Sequence, residues 1–243
     1  MWHAIQGGKY IGLNQPNPYI KLGLIDYIIA AGNGAIPMWS KCTSLPVDKI
    51  LPLGMPRTDT FINKIKGDGN TILANKKSYL YVPTFRWPEE TSEFILNYDW
   101  IDNQLTDDEL FVVKAHIVGH KILNKKYKHI IEIDLNEPST PYLIDCDVVI
   151  TDYSSIIFDG YLLNKPSVLY SPNLDYVSKR GMYMQYPQEY SSKCVTNEKD
   201  LLDLMRSTNT LTDIERDCIN KVADMCDGHS CERICNLITQ LSI

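Results

Sequence analysis

The chain has 243 residues, of which 44% are hydrophobic, so it can bury a sizeable core in one large domain or two small ones. Its formal net charge of -6 excludes the overall basic character that nucleic-acid-binding proteins usually have. The apolar runs are far shorter than the roughly 20 residues needed to cross a bilayer, so any membrane contact is expected to be peripheral. Seven cysteines without the spacing of a disulfide framework favour a reducing cytoplasm.

Short apolar, β-branched runs alternate with longer amphipathic segments along the chain. The short runs predict strands over residues 26–30, 78–82, 110–116, 129–133, 147–151 and 167–170. The amphipathic segments predict helices over residues 91–103, 122–127, 155–163, 199–206, 212–225 and 230–241. Such alternation is typical of an α/β fold with a parallel sheet, in which ligands bind beyond the carboxyl ends of the strands.

A shift in composition near residues 64–77, with Gly67, Gly69 and several lysines, predicts a linker. The roughly 65 residues before it are too few for a complete doubly wound domain. We therefore expect residues 1–66 to be the remnant of an N-terminal half and residues 67–77 to be the linker. Residues 78–243 would then form a nucleotide-binding domain with terminal helices.

Two adjacent hydroxyl groups, those of Ser154 and Ser155, lie between a predicted strand and a predicted helix. The first turn of a helix has unpaired backbone N–H groups and favours an anion, so the two serines suggest a phosphate site. An ordinary helix cap is the alternative. His116 ends another predicted strand, and Thr84 and Arg86 follow a third, so these residues are expected at the same edge of the sheet.

Two further clusters have simpler interpretations. Zinc-type ligands occur close together near the C-terminus, at Cys226, His229, Cys231 and Cys235, but their spacing is poor, so packing at a helix start is preferred and no metal site is predicted. A basic cluster at Lys121, Lys125, Lys126 and Lys128 suits either an anionic surface or, more simply, a solvated helix face.

Seven short motifs follow one another over most of the chain. They are Trp2-His3-Ala4 with Lys9, Leu53-Gly54-Met55-Pro56-Arg57-Thr58-Asp59, Tyr81-Val82-Pro83-Thr84-Phe85-Arg86, Val113-Lys114-Ala115-His116, residues 150–159, Lys165-Pro166 with Arg180-Gly181, and Asp227-Gly228-His229-Ser230-Cys231-Glu232-Arg233. Each match is weak alone, but together and in order they resemble the CDP-glycerol glycerophosphotransferases, the teichoic acid and capsule polymer synthases.

The resemblance implies a GT-B-like α/β fold, with a complete C-terminal Rossmann-like domain preceded by a partial N-terminal one. Two departures from the family stand out. A proline usually follows the strand-end histidine, where this chain has Ile117, and a long stretch usually precedes the Trp-His motif. On this resemblance an N-terminal portion is missing from the chain.

The resemblance also implies transfer of glycerol phosphate, or a related polyol phosphate, from a CDP-activated donor to a growing teichoic acid or capsule polymer, with release of CMP. The alternatives are another GT-B nucleotide-sugar glycosyltransferase and a truncated, non-catalytic nucleotide-binding remnant. No cofactor and no nucleic acid partner are implied. The expected location is the cytoplasm, peripherally at the inner face of a bacterial cell membrane.

By resemblance, His3 is the general base, and His116 binds the diphosphate or protonates the leaving phosphate. Ser154 and Ser155 would hold phosphate oxygens. The other expected donor-binding residues are Lys9, Arg57, Thr84, Arg86, Lys114, Asp152, Asp159 and Arg180. Asp59 has a structural alternative, as the cap of a helix beginning at Phe61.

Overall fold

The computed structural model describes residue 5 and residues 25–84, 96–115, 123–175 and 181–241. These residues form two parallel sheets. The first sheet pairs β1 (Ile28–Ala30) with β2 (Ile50–Pro52). The second has six strands: β3 (Lys77–Tyr81), β4 (Glu109–Val113), β5 (Ile130–Glu132), β6 (Val148–Thr151), β7 (Ser167–Tyr170) and β8 (Cys194–Val195).

The six-stranded sheet has the order β5-β4-β3-β6-β7-β8, and every neighbouring pair is parallel. The chain therefore builds outward from β3 to one edge and then returns to build from β6 to the other. This is the strand order of a doubly wound Rossmann sheet, whose direction of winding reverses between β3 and β6. In such folds the ligand crevice lies at the carboxyl ends of the two strands beside this switch point.

The sheet is buried on both faces, as parallel sheets usually are. Tyr79 and Tyr81 of β3 point to one face and pack in a cluster with Phe111 and Leu201. Leu80, between the two tyrosines, belongs to the cluster on the opposite face. All four residues of β6 and all four of β7 are buried, which explains their nearly continuous apolar sequence.

Seven α-helices occur among the described residues: α1 (Ile36–Thr43), α2 (Tyr98–Gln104), α3 (Thr140–Asp145), α4 (Ile156–Leu162), α5 (Glu198–Ser207), α6 (Asp213–Ala223) and α7 (Ser230–Leu241). Local sequence explains several of their starts. The side chains of Asn97 and Asn197 accept backbone N–H groups at the starts of α2 and α5. Thr212 and Glu215 form a reciprocal capping box at the start of α6.

All six predicted strands are present, with ends that differ by at most three residues, and the helices predicted over 155–163, 199–206, 212–225 and 230–241 are confirmed. The helix predicted over 91–103 begins at Tyr98, because Asn97 is its cap, and residues 91–95 lie outside the described residues. No helix is present over 123–127, so that prediction is wrong there. Tertiary contacts hold this segment instead: the Leu123 N–H donates to Glu132, and the Tyr127 ring packs against Tyr98.

The glycine-rich segment predicted as a linker is fastened to α3. The buried carboxylate of Asp145 accepts the backbone N–H groups of Gly67, Gly69 and Thr71 at 2.8, 3.0 and 2.8 Å, and the Thr71 hydroxyl at 2.7 Å. Burial alone would raise the pKa of Asp145, but these four hydrogen bonds outweigh it, so the pKa is lowered. The division into residues 1–66, 67–77 and 78–243 stays a prediction.

Candidate functional site

The predicted polar residues of the six-stranded sheet meet at its switch point. Thr84 follows β3, and Asp152, Ser154 and Ser155 follow β6, the strand paired with β3 in register Leu80 to Val149. The hydroxyl of Thr84 donates to the Asp152 carboxylate at 2.6 Å, and the Thr84 N–H donates to the same carboxylate at 3.1 Å. The two strand ends are therefore joined directly where the fold places its ligand crevice.

Two residues that the sequence analysis did not select extend this edge toward β7. Ser171 directly follows β7, and its hydroxyl forms a short hydrogen bond with the Tyr186 hydroxyl. Tyr186 also donates to the carbonyl oxygen of Asp152 at 2.9 Å. Burial raises the pKa of Tyr186 well above its usual value, so the phenol stays protonated. The position of Ser171 at a strand end was the clue available in the sequence.

The serine pair lies at the start of α4, as predicted. Ser155 is the residue immediately before the helix, and Ser154 precedes it; both are partly exposed. The Ser155 side chain does not cap the helix. Within the described part of the chain, the structure shows no hydrogen bond from either hydroxyl, and the carbonyl oxygens of both residues accept the first bonds of the helix. These two hydroxyls are thus available to a ligand at the switch point, a role that stays a prediction.

Arg57 and Asp159, both predicted to contact the donor, contact each other. Arg57 lies on the short 3₁₀ turn Pro56–Thr60, and its two terminal nitrogens donate to the two oxygens of Asp159 at 2.9 and 2.7 Å. Asp159 is buried and is the fourth residue of α4, in its first turn. Burial raises the pKa of the Asp159 carboxyl, and the charge of Arg57 only partly offsets this.

Lys114 directly follows β4 and is also occupied by the protein. Its ammonium group donates to the carbonyl oxygens of Asp134 and Leu135 at 2.8 and 3.0 Å. Burial lowers the pKa of Lys114, and nearby carboxylates partly offset the effect. The side chain therefore ties the end of β4 to the loop after β5. Its contact with a donor phosphate stays a prediction.

Several expected site residues lie outside the described residues. These include both predicted catalytic histidines and three cations: His3, Lys9, Arg86, His116 and Arg180. Their predicted roles are therefore carried by the resemblance alone.

The closing motif and the motif at residues 53–59 bind one another. The carboxylate of Asp59 accepts the N–H groups of Ser230 and Cys231, the first residues of α7, at 3.2 and 2.7 Å. Residues 61–63 form a turn, so the expected helix beginning at Phe61 is wrong, and Asp59 caps a helix about 170 positions away instead. Arg233 donates to the carbonyl oxygen of Leu53 at 3.0 Å, which completes the link.

The cysteine-rich C-terminal segment does not converge on one point. Cys226 is buried, and burial raises the pKa of its thiol, whereas Cys231 and Cys235 are exposed on α7. Among the described residues, no group of three or more histidine, cysteine, aspartate or glutamate side chains is arranged to hold a metal ion. In the basic cluster, Lys125 and Lys128 pair with Asp99 and Asp107.

The chain is similar in sequence to enzymes of teichoic acid synthesis. The chain is 28% identical over 235 residues to the teichoic acid glycerol-phosphate transferase of Staphylococcus aureus. It is 32% identical over 218 residues to the teichoic acid ribitol-phosphate primase of Bacillus spizizenii. These alignments cover 88% and 78% of this chain but only 60% and 54% of the two relatives. The chain thus spans little more than half the length of these relatives.

Solved structures show the same fold. A structure of the wall teichoic acid polymerase TagF superposes with a TM-score of 0.78 at 19% identity, over 99% of this chain and 67% of that one. The Staphylococcus aureus protein MnaA, solved with UDP, superposes with a TM-score of 0.56 at 18% identity, over 96% of this chain and 67% of that one. These likenesses confirm the predicted α/β, GT-B-like fold class.

The family model for CDP-glycerol:poly(glycerophosphate) glycerophosphotransferases matches residues 2–240, almost the whole chain. The match spans all seven motifs, the switch-point residues and the link between residues 53–59 and α7. The chain therefore belongs to the CDP-glycerol:poly(glycerophosphate) glycerophosphotransferase family.

Proposed function

We propose that the chain carries the donor-binding half of a transferase that moves glycerol phosphate, or a related polyol phosphate, from a CDP-activated donor to a teichoic acid or capsule polymer. The observation that carries the proposal is the switch point of the six-stranded sheet. Thr84 follows β3, and Asp152, Ser154 and Ser155 follow β6, so they stand where a fold of this kind has its ligand crevice, and the family match supports a donor site there.

The chemistry that this site would serve is phosphoryl transfer. A hydroxyl at the end of the polymer forms a bond to the β-phosphorus of the donor, while the bond from that phosphorus to the bridging oxygen breaks and CMP leaves. The hydroxyl proton passes to a base, for which His3 is proposed. Donors must hold the charge of the diphosphate as it redistributes, and the hydroxyls of Ser154 and Ser155 are proposed for this role together with His116.

The other proposed donor contacts divide into two groups. Lys9, Arg86 and Arg180 are proposed to bind the diphosphate directly, because a cation paired with phosphate forms strong charge-assisted hydrogen bonds. Thr84, Asp152 and Lys114 already hydrogen-bond within the protein, and we propose that they hold this edge of the sheet in place as well as contacting the donor.

The polyol is left open between glycerol and ribitol, because relatives with both names are similar to this chain. We further propose that the protein works at the inner face of the cell membrane through peripheral contact. No helix among the described residues is long and apolar enough to cross a bilayer. The proposed location rests on the family rather than on the basic cluster, two of whose lysines are paired with aspartates.

A donor panel tests the function. CDP-glycerol, CDP-ribitol and UDP-sugars are offered to the chain with a polyol-phosphate acceptor, and release of CMP or UDP is measured alongside calorimetric binding. We expect binding and CMP release with a CDP-polyol. Release of UDP alone would favour a nucleotide-sugar glycosyltransferase, and CDP-polyol binding without release would favour a non-catalytic remnant.

The site itself is tested by the double variant Ser154→Ala/Ser155→Ala. Loss of two charge-assisted hydrogen bonds should cost about 3 kcal/mol or more, which is a drop of over 100-fold in CDP-glycerol affinity. Ser207→Ala is the control, since the Ser207 hydroxyl donates to backbone carbonyl oxygens at the end of α5. Equal affinities of the double variant and the parent would remove the serines from the site.

A further inference from the structure

We propose that the ion pair between Arg57 and Asp159 is a positioning contact that fixes the serine pair of the donor site. It holds the start of α4 against the 3₁₀ turn that follows the first sheet, so that the hydroxyls of Ser154 and Ser155 face the crevice. This inference rests on the proposed function. Arg57 and Asp159 bind each other, so in this proposal they act on the position of the serines rather than on the donor.

The backbone segment that carries Arg57 is held in place by contacts with the C-terminal part of the chain. The 3₁₀ turn that carries Arg57 also carries Asp59, which caps α7 through two backbone N–H groups. Gly54, just before the turn, has a φ of +84°, and a Cβ there would lie 2.2 Å from the carbonyl oxygen of Met225. The turn is thus held on both sides of Arg57, by the close backbone approach at Gly54 and by the hydrogen bonds to the Asp59 carboxylate.

The helix that carries Asp159 is the element whose start the ion pair holds in place. The helix α4 is only seven residues long, and no side chain caps its start. Asp159 lies four residues after Ser155, about one helical turn, so a shift of its carboxylate also shifts the serines. Among the described residues, Arg57 is the only side chain seen to donate to Asp159.

A second arginine–carboxylate pair in the same protein has the same geometry and exposure but different surroundings. Arg206 donates two hydrogen bonds to Glu109 at 2.8 and 2.6 Å, and the exposed fractions of the two side chains are 35% and 9%, against 32% and 8% for Arg57 and Asp159. Glu109, however, also accepts hydrogen bonds from Thr106 and Tyr79. It lies at the amino end of β4, the opposite edge from the crevice.

The pKa values of the two carboxyl groups shift in opposite directions. Burial opposes ionisation in both cases. For Glu109 the hydrogen bonds outweigh burial and lower the pKa to about 2, whereas for Asp159 burial prevails and the pKa is raised. Asp159 is thus a buried carboxyl group with one charged partner in the described part of the chain, Arg57. A buried ion pair of this kind is weak evidence for overall stability, and we infer that this one fixes a geometry instead.

The matched variants Arg57→Lys and Arg206→Lys test the proposal. Each keeps the positive charge and removes the two-pronged geometry of the guanidinium. Three quantities are measured on the 243-residue chain: the urea midpoint of unfolding, hydrogen–deuterium exchange of the amides over residues 154–160, and the affinity for CDP-glycerol. We expect both variants to lower the midpoint. Only Arg57→Lys should speed exchange over 154–160 and weaken CDP-glycerol binding, by at least about tenfold.

Each other outcome counts against a specific part of the proposal. Unchanged exchange over 154–160 in Arg57→Lys means that the pair does not order the serines. Faster exchange with unchanged CDP-glycerol affinity means that the pair stabilises α4 without positioning the site. Equal losses of affinity in both variants mean that global stability is responsible. If Arg57→Lys does not fold, Asp159→Asn replaces it, since the amide keeps the volume of the carboxylate.

Failure of the proposed function looks different. A parent chain that binds no CDP-glycerol contradicts the function, and the exchange data then still decide whether the ion pair orders residues 154–160. A parent that binds CDP-glycerol, with an Arg57→Lys variant that binds it equally well, contradicts only the positioning role.

Discussion

The polar residues at the switch point fall into two groups: some have hydroxyls without a partner in the described part of the chain, and others hydrogen-bond within the protein. Ser154 and Ser155 leave their hydroxyls available in the described part of the chain. Thr84 and Asp152 bind each other, and Lys114 binds two carbonyl oxygens. The sequence predicts that these residues meet, because strand ends of a parallel sheet share an edge. It does not predict which of them bind each other, because hydrogen-bonding partners such as Arg57 and Asp159 lie 102 positions apart.

At the residue scale, the ionisation of Glu109 predicts a pH dependence of stability. Its pKa falls from an unfolded value near 4.5 to about 2 in the folded protein. A depressed carboxylate pKa adds stability that is present above pH 4.5 and is lost as the pH falls toward 2. The contribution is no more than about 3 kcal/mol for a shift of this size.

Glu109→Gln tests this dependence. We expect the free energy of unfolding of the variant, followed by urea titration between pH 6 and pH 2, to fall less steeply with acid than that of the parent. Asp213→Asn, at an exposed position, serves as the control and should keep the slope of the parent. Parallel curves for Glu109→Gln and the parent would show that Glu109 has the same pKa in both states.

Among the secondary structure elements, those with long apolar or amphipathic runs are the ones that the sequence predicts. The strands β3, β4, β6 and β7 are buried runs of at least four residues, and each was predicted. The strands β2 and β8 have three and two residues and were not predicted. The equally short β1 and β5 were predicted, because longer apolar runs surround them in the sequence. The helices α1 and α3 were also missed, although each has a proline in its first turn, which is a recognised start signal.

At the element scale, the cap that Asp59 provides for α7 predicts a local effect. Asp59→Ala removes the acceptor for the N–H groups of Ser230 and Cys231, and loss of a cap typically costs about 0.5–2 kcal/mol. We expect faster amide exchange over residues 230–233 and earlier release of α7 during limited proteolysis. Asn97→Ala, which removes the cap of α2, should lose similar stability and leave exchange in α7 unchanged. Unchanged exchange over 230–233 in Asp59→Ala would mean that α7 does not depend on this cap.

On the scale of the whole molecule, the C-terminal helices reach across to the first sheet. The carboxylate of Asp224, just after α6, accepts the backbone N–H and the side-chain amide of Asn33 at 2.8 and 2.7 Å. Residues 191 positions apart, in the first and last parts of the described chain, are therefore in direct contact. Sequence patterns predicted the α/β class and the family, but contacts over this distance along the chain have no local signature.

At the scale of the whole molecule, a substitution of Gly34 tests how closely the segment after β1 approaches α6. A Cβ at Gly34 would lie 1.8 Å from the carbonyl oxygen of Lys221 in α6, so Gly34→Ala forces the two segments apart. We expect a loss of about 1–3 kcal/mol or more in the free energy of unfolding, measured by urea titration. At Gly67 a Cβ meets nothing within 4 Å, so Gly67→Ala bears only the strain of its φ of +104°. A smaller loss for Gly34→Ala than for Gly67→Ala would contradict the predicted contact.

The four hydrogen bonds that Asp145 accepts from residues 67–71 have a mechanical consequence. A glycine-rich connection ordinarily lets the parts on either side of it swivel. Here, rotation about Gly67 or Gly69 must break bonds to a carboxylate, each contributing roughly 1.5–3 kcal/mol. We therefore expect residues 67–71 to be rigid, unlike an ordinary glycine-rich linker. These residues are expected to move together with α3 rather than independently of it.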